Sequence, residues 1–154
     1  MLENLKTQGV ELAYVTLHVG IDTFAPVRVD DLDAHKMHGE RVEVSPEMAT
    51  KINQAKTEDR RVIAVGTTSC RALESAVLED GKIKQGAWTT ELFIQPGYEF
   101  KVIDGLLTNF HQPKSTLIVL VSSFVGREKL LECYEAAMAE KYRLFSFGDC
   151  MLVI

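Results

Sequence analysis

The stretch Arg61-Val-Ile-Ala-Val-Gly-Thr-Thr-Ser constrains this chain more than any other. Four successive apolar residues, three of them β-branched, read as a short strand of the kind found in the middle of a parallel sheet. Gly66 permits a tight turn directly after it. Thr67, Thr68 and Ser69 then open a helix whose inward face is Ala72, Leu73, Ala76 and Val77. A strand feeding straight into a helix is the building step of an α/β layer.

The rest of the chain follows the same alternation. Residues 10–19, rich in β-branched and aromatic side chains, predict a strand, and residues 20–26 a loop. Residues 30–38 are charged and irregular, and 41–44 alternate like a short strand. Ser45-Pro-Glu is a helix start, with serine as cap and proline at the first helical position, after which Met48, Ile52 and Ala55 share one face. Residues 81–87 form a turn-rich connection; 88–94 and 98–110 predict two or three strands, broken at Pro96-Gly97 and near Gly105. Ser115 can cap an apolar segment ending before Gly126, read as a buried helix, although its valines and isoleucine also suit a strand. Residues 127–141 make an amphipathic helix with Leu130, Leu131, Tyr134 and Ala137 in phase, and 142–147 a last strand before Gly148-Asp149. The fold class expected is α/β, a mainly parallel sheet flanked by helices, in a single domain spanning 1–154.

With 46% apolar and 25% charged residues, the 154-residue chain has the balance of a globular domain with a real core. A net charge of −5 argues against a general nucleic-acid coating protein, while leaving room for a local basic face. Cys70, Cys133 and Cys150 form neither a CxxC pair nor a disulfide framework, so a reducing cytoplasm is the expected setting. No signal segment is visible, and the apolar run 117–121 is far too short to cross a bilayer, so no membrane association is expected. Residues 2–9 read as the last turns of a helix stopped at Gly9, which suggests a piece of something longer.

Ligands of open α/β sheets lie beyond the carboxyl ends of the strands. Four polar segments fall at such ends: Leu17-His-Val-Gly, Gly66-Thr-Thr-Ser, Thr108-Asn-Phe-His and Ser146-Phe-Gly-Asp. In the second, Thr67 and Thr68 supply hydroxyls and free backbone N–H groups at a helix start, suited to a carboxylate, a phosphate or a ribose edge, with Arg71 and Glu74 in reach of the same mouth. A plain helix cap explains the same residues, and the lysine of a Walker loop is missing. Asn109, His111 and Ser115 cluster at another strand end, either as a site or as a loop held by side-chain hydrogen bonds. His35 and His38 stand three apart, a spacing able to share a metal on a helix, but with no third ligand implied the simpler reading is surface histidines. Asp22, Asp104 and Asp149 are the carboxylates nearest the loop ends, and each singly reads as a turn residue. Phe24, Phe110 and Phe147 could stack on a purine or face a sulfonium, or simply fill the core.

The order of these motifs says more than any one of them. Leu17-His-Val-Gly-Ile-Asp-Thr-Phe-Ala-Pro-Val, His35-Lys-Met-His-Gly-Glu, Val65-Gly-Thr-Thr-Ser-Cys-Arg-Ala-Leu-Glu, Thr108-Asn-Phe-His-Gln-Pro-Lys-Ser-Thr-Leu and Ser146-Phe-Gly-Asp-Cys-Met together resemble the S-adenosylmethionine:tRNA ribosyltransferase-isomerase family of queuosine biosynthesis. The resemblance spans essentially the whole chain. Because members are about twice this long, it implies the carboxy-terminal α/β domain of a two-domain enzyme whose amino-terminal part, including a β-barrel, is absent here. Asp22 stands where the family usually has glycine, Gln112 where leucine is common, and Cys70 and Cys150 where small apolar residues are found.

The resemblance implies transfer and isomerisation of the ribosyl group of S-adenosylmethionine onto 7-aminomethyl-7-deazaguanine at the tRNA wobble position, giving epoxyqueuosine, adenine and methionine. It implies no metal and no cofactor beyond that co-substrate. Such chemistry needs a general base, a donor to the leaving adenine and a holder for the methionine carboxylate. On this reading His18 or His111 is the base, and Asp149 or Glu74 assists proton movement or faces the sulfonium. Thr67, Thr68 and Arg71 hold the carboxylate or ribose hydroxyls, and Asn109, Ser115 and Thr116 orient the sugar or the deazaguanine. Thr23 and Phe24 of the first motif, with His35 and His38 of the second, are further substrate or tRNA contacts. The alternative is a non-catalytic fragment, or a tRNA- or partner-binding module, that needs a separate amino-terminal half.

Overall fold

The computed structural model describes residues 1–20, 27, 29 and 31–154. Asp22, Thr23 and Phe24 of the first motif lie outside the described residues. Among these residues five α-helices and six strands follow one another in the order α1 (Leu2–Thr7), β1 (Thr16–His18), β2 (Glu40–Val44), α2 (Pro46–Thr57), β3 (Ile63–Val65), α3 (Thr67–Glu74), β4 (Gly86–Thr90), β5 (Gly105–Asn109), α4 (Thr116–Val125), α5 (Arg127–Ala139) and β6 (Cys150–Val153).

The strands form two three-stranded sheets. One is antiparallel throughout, in the order β1-β2-β4, with Leu17 opposite Val42 and Val42 opposite Trp88. The other runs β3-β5-β6: β3 pairs with β5 in parallel, Val65 opposite Leu107, and β5 with β6 antiparallel, Leu107 opposite Leu152. The α/β layering with flanking helices is therefore present, but the pairing is mixed, and among the described residues the parallel pairing is confined to β3 and β5. The physical reason lies in the connections. Only the long crossover through α3 and β4 returns the chain in the β3 direction, while β6 arrives from the opposite side and reverses.

Local signals account for the helix starts. Ser45 accepts the Met48 N–H at 3.2 Å and Pro46 follows at the first helical position. Ser115 accepts the Ile118 N–H at 3.3 Å, so residues 116–125 are a helix despite their β-branched content. Three strand predictions need correction. Residues 91–94 and 98–104 are not strand, so the stretch 88–110 contributes β4, which begins earlier at Gly86, and β5. Residues 10–15 are not strand, and only Thr16–His18 pair with β2. Residues 142–147 form turns, with Phe145 at φ +62°, and the last strand is Cys150–Val153. Val42, Val44, Ile52, Ala64, Leu73, Leu106 and Val121 belong to one buried cluster that reaches from β2 to β5. Helix α3 packs against β1 of the first sheet and against β3 and β5 of the second.

Candidate functional site

The carboxyl ends of β3 and β5 open into a cleft of about 410 Å³, within the range of small-molecule sites. Gly66, Thr67 and Thr68 form one wall, Thr108 through Gln112 the floor, and Ser115, Leu117, Phe145 and Ser146 the far side. Three of the four polar segments picked out in the sequence thus converge here.

Gly66 makes the first wall possible. Its φ of +91° is left-handed, and its N–H donates to the Leu107 carbonyl at 2.8 Å, clamping the turn to the neighbouring strand. No side chain caps α3, so its first-turn N–H groups and the positive end of its dipole are available to an acceptor in the cleft. Thr67, itself buried, and Thr68 line both this cleft and a smaller pocket of about 20 Å³ between α3, α4 and β1.

The floor centres on His111. Its Nε2 lies 2.8 Å from Thr108 Oγ1, and its backbone N–H donates to the Tyr134 hydroxyl of α5. Burial depresses its pKa to about 4, so the imidazole is neutral near pH 7 and able to accept a proton. Asn109, exposed at the end of β5, donates from Nδ2 to the Asp149 carbonyl at 3.5 Å. Phe110 is buried beneath the floor, edge-on to Tyr134 and Tyr142 at 5.3 and 6.0 Å. Ser115 caps α4 and donates to the Gln112 carbonyl at 2.7 Å, so its hydroxyl shapes the wall. Thr116 is buried and lines the smaller pocket.

Asp149 sits near this cleft without lining it. Its carboxylate accepts the Arg143 backbone N–H at 2.6 Å and the Arg143 guanidinium at 2.9 and 3.2 Å. The Arg143 side-chain and backbone hydrogen bonds hold its pKa down to about 2. It is a fixed negative charge at neutral pH rather than a proton carrier.

Arg71 and Glu74 do not reach the cleft. The Arg71 guanidinium is buried, pairs with Glu40 at the start of β2, and donates to the carbonyls of Leu92, His38 and Thr90 at 2.8, 3.3 and 3.4 Å. Glu40 also accepts the Gly20 N–H at 3.0 Å. Glu74 points to the other side of α3. Its Oε1 accepts the N–H groups of Val102 and Ile103, both at 3.0 Å, and its Oε2 those of Lys101 at 2.9 Å and the Tyr98 hydroxyl at 3.1 Å. The Tyr98 phenol is pushed up, first by burial and then by the Glu74 charge. Asp104 likewise holds a strand start, accepting the Val62 N–H at 2.7 Å.

The other histidines lie outside the cleft lining. His18 is exposed on β1, with Nε2 3.2 Å from Glu43 Oε1, and Arg41 donates to the same oxygen at 2.9 Å. His35 rests 5.1 Å from the Phe93 ring. His35 itself is extended and His38 lies outside any helix, so the helical spacing that would converge them on one ion is not formed. No cluster of three metal-ligating side chains occurs among the described residues.

Sequence reasoning missed Phe145, Tyr134 and Glu40. Phe145 adjoins the Ser146-Phe-Gly-Asp motif, on a turn whose residues have the composition of a strand. Tyr134 was assigned to the core face of its helix, and its hydroxyl signals a partner only once α5 is docked. Glu40 stands in the second motif, but nothing local marks it as the partner of Arg71.

Comparison with known proteins identifies the family. A model of the family described as "Queuosine biosynthesis protein" matches residues 1–153. The S-adenosylmethionine:tRNA ribosyltransferase-isomerase of Clostridioides difficile is 56% identical over 153 residues, covering 99% of this chain and 45% of that protein. Its namesake in Desulforamulus reducens is 53% identical over the whole chain, again 45% of that protein. The crystal structure of S-adenosylmethionine tRNA ribosyltransferase from Thermotoga maritima superposes with a TM-score of 0.79 at 39% identity, over 99% of this chain and 48% of that one. The chain spans about half the length of the relatives it matches. It belongs to the queuosine biosynthesis protein family.

Proposed function

We propose that residues 1–154 fold as one α/β unit carrying the S-adenosylmethionine end of a tRNA ribosyltransferase-isomerase site. The observation that carries this reading is the cleft itself: a neutral, largely buried His111 and the uncapped start of α3 line one cavity at the carboxyl ends of the parallel strands. In this reading the ribosyl group of S-adenosylmethionine passes to 7-aminomethyl-7-deazaguanine in the tRNA wobble position and is rearranged to the epoxycyclopentanediol of epoxyqueuosine.

His111 takes the proton from the carbon beside the sulfonium, which the positive sulfur acidifies. Adenine leaves, the amine of the modified base attacks the sugar, and closure to the epoxide expels methionine. The Thr67 and Thr68 hydroxyls with the free N–H groups of α3 hold the methionine carboxylate or the ribose edge. Asn109 orients the sugar or the deazaguanine, and Asp149, paired with Arg143, fixes the 142–149 turn beside the cleft. Arg71, Glu74 and Ser115 act as framework beneath and beside the site. His18, His35 and His38, on the outer surface, are left to tRNA contact. No step of this scheme needs a metal, and the setting is the cytoplasm; no helix among the described residues is long and apolar enough to cross a membrane.

The test is adenine release from S-adenosylmethionine in the presence of tRNA bearing 7-aminomethyl-7-deazaguanine, with and without the amino-terminal half of a relative. Release that requires the added half supports the reading. None in either case, with the chain shown folded, leaves a binding module without catalysis.

A further inference from the structure

The loop that carries His111 is held from three directions. The Phe110 carbonyl accepts the Phe145 N–H at 2.8 Å, the Gln112 carbonyl accepts the Ser115 hydroxyl at 2.7 Å, and the N–H of His111 itself donates to the Tyr134 hydroxyl. Phe145 and Ser115 belong to the cleft lining, whereas α5, which carries Tyr134, contributes no residue to it. Tyr134 is partly buried against the core, and its ring packs edge-on to Phe110 at 5.3 Å, a contact that phenylalanine would make equally well. The hydroxyl is what this packing does not require. Its hydrogen bond among the described residues goes to His111.

Two hydrogen bonds therefore fix His111 at its two ends. Tyr134 holds the backbone, and Thr108 Oγ1, 2.8 Å from Nε2, holds the ring. Neither suffices alone. A ring tethered at Nε2 still moves with a loose backbone, and a fixed backbone leaves the side-chain torsions free to change rotamer. Deprived of its acceptor, the part-buried His111 N–H would draw the loop toward solvent to find another. We propose that Tyr134 is a positioning residue of the site, its hydroxyl fixing the backbone of His111 from α5 so that Thr108 holds the imidazole in one orientation at the cleft floor. This rests on the reading of His111 as the proton acceptor. Displacing a reacting group by about 1 Å can cost about a hundredfold in rate, so a side chain outside the cavity affects turnover without touching substrate. Tyr142 supplies the internal comparison. Its ring also meets Phe110 edge-on, at 6.0 Å, but among the described residues no hydrogen bond joins its hydroxyl to the loop.

Tyr134→Phe removes the hydroxyl and keeps the ring. The assay is adenine release by this chain mixed with the amino-terminal half of a relative, S-adenosylmethionine and tRNA bearing 7-aminomethyl-7-deazaguanine. Tyr134→Phe is expected to lower turnover at least about tenfold while KM for S-adenosylmethionine stays within about twofold. Tyr142→Phe is expected to match the wild type in both. In the isolated chain, nitrogen NMR spectra of the His111 imidazole are expected to show one tautomer in the wild type and in Tyr142→Phe, and a mixture of the two in Tyr134→Phe. Unchanged turnover or an unchanged ring spectrum in Tyr134→Phe would overturn the inference. So would an equal loss of turnover in Tyr142→Phe, which would assign the effect to packing. A wild type that releases no adenine counts against the reaction assigned above, and the ring spectra then decide on Tyr134 by themselves.

Discussion

Thr108 Oγ1 and His111 Nε2 lie 2.8 Å apart, joining the end of β5 to the loop that follows it within one side-chain hydrogen bond. If the imidazole proton sits on Nε2 and is donated to Thr108, the Nδ1 lone pair is left to accept a proton from substrate. The threonine then sets both the ring plane and the tautomer of the proposed base.

Replacing His111 by Ala in a full-length relative is expected to lower adenine release at least about a hundredfold. A loss of less than tenfold would reject the base role. Thr108→Val should lower turnover and alter the pH profile while leaving S-adenosylmethionine affinity near its original value, and Thr108→Ser should restore both. A KM change without a turnover change would place Thr108 in ground-state binding instead.

The pKa of His111, about 4 in the fold, lies below the roughly 6.5 of an unfolded histidine. As pH falls, the unfolded chain takes up the proton first, so stability declines between about 6.5 and 4 and levels off below. Activity that depends on the neutral ring should persist to about pH 5 and fall as pH approaches 4. Urea denaturation against pH, compared with His111→Gln, reads the first effect, and an NMR titration of the ring reads the second; a ring titrating near 6.5 would contradict both.

Asp149, with a pKa near 2, contributes stability present above its unfolded value of about 3.9 and lost as pH falls toward 2. Asp149→Asn should remove that acid-range dependence and release the 142–149 turn. A stability profile for Asp149→Asn that still falls between pH 4 and 2 like the wild type would show that the pairing with Arg143 adds nothing.

Arg71 and Glu40 are both buried and paired. Arg71→Met removes the counter-charge of the buried Glu40 carboxylate and should cost about 3–5 kcal/mol in urea unfolding, whereas Arg71→Met with Glu40→Leu should recover most of it. A single variant as stable as wild type would mean that the pair carries no structural load.

Glu74 accepts four hydrogen bonds with two oxygens. Glu74→Gln replaces one oxygen by a donor facing N–H groups and is expected to destabilise by about 1–3 kcal/mol, with S-adenosylmethionine binding unchanged. Lost binding at full stability would put Glu74 in the site after all.

Much of this protein was legible from its sequence because the signals are short-ranged. Ser45-Pro46 and Ser115 start helices through bonds to residues three positions on, and Gly66 makes its turn through its own backbone freedom. The apolar run 62–65 followed by Gly66-Thr67-Thr68 marked a strand, a turn and a helix mouth, and with Thr108–His111 it located the cleft. What tertiary structure alone decided involves partners far along the chain. Residues 10–15 have strand composition but pair with no strand among the described residues, and β6 exists because Cys150–Val153 meets β5 some forty residues earlier. Arg71 and Glu74, three apart on one short helix, diverge to Glu40 on one side and the 101–103 backbone on the other. A charged side chain takes its role from the counter-charge or the N–H groups that burial brings to it, and those are set by packing, not by spacing.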